Sequence, residues 1–132
     1  PSLFPQLFVF EQFAPLILRL ALGAIFIVHG YPKLFKEIPD TIQFFESVGI
    51  SPGKLWVRAV GVLEFFGGIF LILGFLTQLV GTLFALEMLF TIWKVKFAQG
   101  FIGGYEFDLI LLAAALALVF LGPGSLSLDL PF

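Results

Sequence analysis

The sequence predicts an all-α fold: an integral membrane, four-helix antiparallel bundle with a short amphipathic interfacial helix between helices 1 and 2. Three observations predict it. Of 132 residues, 60% are hydrophobic and only 12% charged, with a mean hydropathy of +1.10, where a soluble domain carries roughly 25% charged residues. Four apolar runs approach or reach the roughly 20 residues that cross a bilayer. The polar connections are short and hold nearly all of the basic residues. A soluble bundle, as an obligate oligomer, is the competing reading, but a chain this small keeps much of its surface in water and cannot hide so much apolar area. The whole of 1–132 reads as one transmembrane domain, with helices at about 13–34, 55–75, 79–95 and 105–121.

Residues 1–12 carry Phe4, Phe8 and Phe10 but no Lys or Arg, and suit a short interfacial lead-in. In the first helix, Pro15 falls in the first turn, where a missing N–H is tolerated. Gly30-Tyr31-Pro32 marks a bend or exit. The run is no cleaved signal peptide: no basic region precedes it and further spans follow. Within the 33–54 connection, Ile42, Phe45 and Val48 recur at helical spacing, giving the amphipathic helix over 39–48 with Gly49 as its stop. The second helix holds Glu64 and a smooth glycine surface (Gly61, Gly67, Gly68, Gly74) that lets a neighbour approach closely. Leu76, Thr77 and Gln78 form a tight hairpin into the third helix, which holds Glu87 and the small-xxx-small pair Gly81/Ala85. A glycine-rich turn over 100–104 leads to the fourth helix, which begins with Glu106 and Asp108 and ends at Gly122-Pro123-Gly124. The tail from Ser125 to Phe132 reads as surface-bound.

Of the seven basic residues, Lys33, Lys36, Lys54, Arg58, Lys94 and Lys96 gather on one side of the bundle. The positive-inside rule places that side in the cytoplasm and both termini on the outer side of a prokaryotic cytoplasmic membrane. There is no cysteine and one histidine, which removes disulfides, thiol catalysis, iron–sulfur clusters, zinc–thiolate sites and bis-His haem. No metal site and no intrinsic cofactor are expected. A net charge of −2 gives nucleic acid no footing.

The informative residues are the ionisable groups inside the spans, which are costly in a bilayer and need partners or water. His29 and Lys33, four residues apart, share a helix face. With Glu64 and Glu106 they form a candidate polar pocket opening towards the basic loops. Acid and histidine pairs in membranes serve protons or a quinone-like head group. Arg19 with Glu87, and Lys33 with Glu106, are candidate structural ion pairs that would fix helix register. Glu106 and Asp108 also read as solvated helix-start carboxylates favoured by the N-terminal dipole. The 19 phenylalanines face lipid or pack the bundle; a quinone tail, a pigment or a neighbouring subunit would meet the same surface.

Two motifs, Arg19-x-x-x-Gly23 and His29-Gly30-Tyr31-Pro32-Lys33, are followed in order by Glu64, Gly67-Gly68, Gly74, Glu106 and the closing run Gly122-Pro123-Gly124-Ser125-Leu126-Ser127-Leu128-Asp129. The set resembles the DoxX family over nearly the whole chain. The resemblance implies a small four-helix membrane protein. It points to a subunit of a quinone-linked oxidoreductase complex in which Arg19, His29, Lys33, Glu64 and Glu106 are the matching polar positions. The alternative is a non-catalytic accessory or scaffold subunit of a larger respiratory or photosynthetic membrane complex. Either way the partners are the lipid bilayer and other membrane-protein subunits. A transporter ranks behind both, because four helices without an inverted repeat make a poor alternating-access machine.

Overall fold

A computed structural model describes residues 1–129. Five α-helices carry the fold: α1 (Phe13–Phe35), α2 (Pro39–Ser47), α3 (Gly53–Leu73), α4 (Thr77–Thr91) and α5 (Glu106–Leu121). Looser helical turns extend α4 to Gln99 and begin the α5 segment at Phe101, giving four spans long and apolar enough to cross a membrane. No strand occurs among the described residues. With its apolar surface turned outward, as at Ile17, Leu86, Ile110 and Phe120, the chain is an integral membrane protein.

The bundle is two close pairs laid together. In the first pair, α1 meets α3 along glycines. A Cβ on Gly68 would lie 2.6 Å from the Gly23 carbonyl oxygen, and one on Gly30 would lie 2.5 Å from the Phe65 amide nitrogen. Only hydrogen fits there. In the second pair Gly81 of α4 faces the Ala115 carbonyl oxygen of α5, 3.2 Å from where its Cβ would stand. Leu22, Phe26, Leu71, Phe84 and Leu118 fill the space between the pairs, and the rings of Phe26 and Phe84 stack with centroids 3.7 Å apart.

The end of the bundle where α1 begins and α5 ends is tied by the segment 122–129, a strap running on from α5. Gly74, in the left-handed region at φ 68°, closes α3 by a Schellman arrangement. Its N–H bonds to Leu71 O at 3.0 Å and that of Phe75 to Phe70 O at 2.8 Å. Arg19 is fully buried and its guanidinium spans two segments. It donates to Leu71 O and Ile72 O at 3.2 Å each, and to Ser125 O and Leu126 O at 2.6 and 3.0 Å. The strap's own amides at Leu128 and Asp129 bond to Leu73 O and Gly74 O. The Asp129 carboxylate then accepts the N–H groups of Leu76 and Thr77 at 2.7 and 2.9 Å, meeting the unpaired amides at the start of α4. Partial burial alone would raise the pKa of Asp129. The hydrogen bonds from Thr77 and Leu76 and the charge of Arg19 outweigh it and hold that carboxyl below its usual range.

Several expectations are corrected. The first helix does not leave at Gly30-Tyr31-Pro32 but runs through Pro32 to Phe35. Proline so near the end forfeits one backbone bond, while its carbonyl still accepts from Lys36 N–H at 3.1 Å. The second helix lies at 53–73 and the hairpin turn at 74–76, two residues earlier than expected, because Gly74 takes the left-handed stop. Arg19 does not pair with Glu87: its charge is met by backbone carbonyls at the terminal end. Lys33 does not pair with Glu106. Of the tail read as surface-bound, residues 130–132 lie outside the described residues.

Candidate functional site: a polar cluster beneath α2

At the opposite, basic end, α2 lies across the bundle. Its position is fixed by Glu46, whose Oε2 accepts the Gly53 N–H at 3.2 Å, and by Gly53, where a Cβ would fall 2.6 Å from the Ile42 carbonyl oxygen. Beneath it, each spanning helix contributes an ionisable group. Lys33 of α1 donates to Glu64 Oε1 of α3 at 2.6 Å, and Glu64 is 3% exposed. Gly61 makes this contact possible, since a Cβ there would stand 2.9 Å from the Cβ of Lys33. Glu87 of α4 lies beside Glu64, with Lys33 and Asp108 close enough to act on it electrostatically. Asp108 of α5 is 7% exposed and faces Lys96 at 4.0 Å.

The balance is three carboxyl groups against two ammonium groups. Two of the carboxyl oxygens, Glu87 Oε1 and Asp108 Oδ2, are buried with no hydrogen-bond partner among the described residues. Buried polar atoms without partners are rare and costly, and mark places where a water, proton or ligand belongs. A cavity of about 670 Å³ opens on this cluster, inside the 300–1,000 Å³ range of small-molecule sites. Phe45 of α2 and Val48 just after it roof it, Trp56 and Val60 of α3 and Phe90 and Thr91 of α4 wall it, and Lys33, Glu87 and Lys96 supply its polar floor. Apolar walls with a few convergent polar groups are the usual build of a small-molecule pocket. Among the described residues no three His, Asp or Glu side chains are grouped to hold a metal ion.

The sequence-predicted residues divide. Lys33 and Glu64 come together, and Glu87, expected as a partner for Arg19, joins them. His29 does not line the cavity. It is exposed on the side of α1 towards α5, its ring 6.2 Å from that of Phe107. Glu106 is also outside: exposed, it accepts the Gly103 N–H at 3.0 Å and pins the turn before α5. Asp108 is the buried carboxylate that sequence reasoning set aside. The signal for it was present, because Gly104, Asp108, Leu111, Ala115 and Leu118 form the buried stripe of that segment at helical spacing.

Comparison with known proteins agrees with this architecture. The DoxX family model matches residues 14–97. The chain is 39% identical over 121 residues to the "Putative oxidoreductase CatD" of Bacillus subtilis (strain 168), covering 92% of this chain and 87% of that one. In Escherichia coli (strain K12) it is 30% identical over 123 residues to "Inner membrane protein YphA", covering 86% of each chain. It is 31% identical over 123 residues to "Inner membrane protein YqjF", covering 90% of this chain and 92% of that one. No solved structure matches the chain.

Proposed function

This chain belongs to the DoxX family, and on that footing we propose that it is the membrane subunit of a quinone-linked oxidoreductase complex, the cavity beneath α2 receiving the quinone head group. The observation that carries the reading is Glu87 Oε1, without a hydrogen-bond partner among the described residues, on the polar floor of a cavity whose walls are mainly apolar. The name of the B. subtilis relative supplies the oxidoreductase class. A bound quinone supplies a lipophilic carrier of two electrons and two protons. The residues here supply the rest. Lys33 and Lys96 are the donors available to head-group carbonyl oxygens, and Glu87 is the acceptor open to a hydroxyl of the reduced form. The Lys33–Glu64 bond holds the ammonium at the floor, and Asp108 with Lys96 continues the polar path towards the basic end. With the basic loops in the cytoplasm and both termini outside, protons would be exchanged with the cytoplasmic side.

One observation favours the accessory-subunit reading beside it. His29 is exposed on a spanning helix, and an ionisable group there is costly against lipid; a neighbouring subunit would cover it. The two readings are compatible on different faces.

The test uses Trp56, which lines the cavity. With Trp93→Phe leaving Trp56 as the single tryptophan, a decyl-tailed, fully substituted benzoquinone in nanodiscs should quench its fluorescence saturably. Glu87→Ala should weaken the corresponding hydroquinone, measured by its competition with the quinone, about ten-fold, the value of one hydrogen bond. Linear, unsaturable quenching by the quinone, or competition by the hydroquinone that Glu87→Ala leaves unchanged, would refute the reading.

A further inference from the structure

We infer that the cavity opens to the bilayer through the seam between α3 and α4, and that its occupant is an amphiphile whose flexible apolar tail lies in that seam. The inference rests on the head-group reading above and adds the ligand's second half. α3 and α4 are joined at the terminal end and touch closely where Gly67 faces Phe84, a Cβ on Gly67 falling 2.7 Å from the Phe84 ring. Seven residues further along each helix, about 10 Å nearer the basic end, stand Val60 and Thr91, and between them lies the cavity. The helices part there, and no glycine contact closes them.

Two other sides are held. Gly61 brings α1 against α3 at this level, and α2 is fixed to the start of α3 through Glu46 and Gly53. Phe44, Gly49 and Ser51 also line the cavity and are exposed, so it meets the surface beside α2 as well. At the seam, Trp56 and Phe90 line the cavity and remain 47% and 44% exposed, so neither is packed away inside the bundle. Trp56, Val60, Phe90 and Val95 carry no charge, so a polar or anionic extension would find no partner there, whereas an isoprenoid or alkyl chain replaces lipid at no electrostatic cost. Polar groups on the floor with an apolar exit beside them fit a tailed head group better than a small soluble one.

The test overfills the seam without touching the floor. Val60→Phe, and independently Val95→Phe on the opposite wall, narrow it. In nanodiscs, with Trp56 quenching as readout, each should weaken the decyl-tailed benzoquinone about ten-fold, as overpacking does. Each should leave the tail-free tetramethylbenzoquinone, which is also fully substituted and does not alkylate the protein, within about two-fold. Equal weakening of both ligands, or of neither while both still bind, would overturn the seam and leave the head-group reading standing. Competition by decanol as effective as that by the tailed quinone would mean that the seam holds ordinary acyl chains, and would overturn it too. If neither quinone quenches saturably in the parent protein, the head-group reading fails and takes the seam with it.

Discussion

The Lys33–Glu64 pair offers a prediction whose size follows from the geometry. At 2.6 Å and an effective dielectric of about 20, the attraction is about 6 kcal/mol before desolvation is charged against it. Removing one partner of a buried pair typically costs about 3–5 kcal/mol, because the survivor is left uncompensated. The Lys33 side chain keeps 23% of its surface open and that of Glu64 only 4%, so water softens the loss on one side and the lower figure, about 3 kcal/mol, applies. Lys33→Met and Glu64→Leu should each destabilise by that amount in reversible mixed-micelle unfolding. The double variant should lose little more than either single one, giving a coupling of about 3 kcal/mol. It should also fail to bind the tailed quinone, since the floor ammonium is gone. Single variants within about 0.5 kcal/mol of the parent, or strictly additive losses, would show that the pair holds nothing together.

Other outcomes follow from the terminal end and the glycine seam. Arg19→Ala leaves four carbonyls without their donor and should release the strap. Ser125→Cys, in a chain with no cysteine of its own, should then react several-fold faster with a water-soluble maleimide, and an unchanged rate would refute the clamp. Gly30→Ala forces a methyl against the Phe65 amide and should cost about 1–3 kcal/mol by overpacking in the same unfolding assay; a loss below about 0.5 kcal/mol would refute the close contact. Asp129 has a lowered pKa when folded. Its contribution is therefore complete above its ordinary value near 3.8 and is lost as pH falls through the lower folded value. Maleimide reactivity at Ser125→Cys should rise in that acid window, after correction for thiol ionisation with an unfolded control peptide, and Asp129→Asn should abolish the step.

The spans were legible because hydropathy and length are properties of single segments. The amphipathic α2 was legible from Ile42, Phe45 and Val48 for the same reason. The pairing of charges was less so, since it depends on rotation about each helix axis. His29 and Lys33 are four residues apart, a rotation of about 40° at 3.6 residues per turn, and that turn is enough to send Lys33 to Glu64 and His29 to the α5 side. Glu106 and Asp108 are about 200° apart on their helix, so only one could face inward. The buried stripe through Leu111 and Ala115 selects Asp108. Arg19 was beyond reach for a different reason. Its partners are backbone carbonyls at the end of α3 and in the strap, which no search for oppositely charged side chains can find.

The most direct test of the cavity as a quinone site is where a photoreactive, decyl-tailed azidoquinone attaches in nanodiscs. Attachment should fall on the peptides around Phe45–Val60 and Glu87–Lys96, which line the cavity, and excess unlabelled quinone should suppress it. Attachment around His29 and Phe107, or scattered over the lipid-facing surface without competition, would contradict the account.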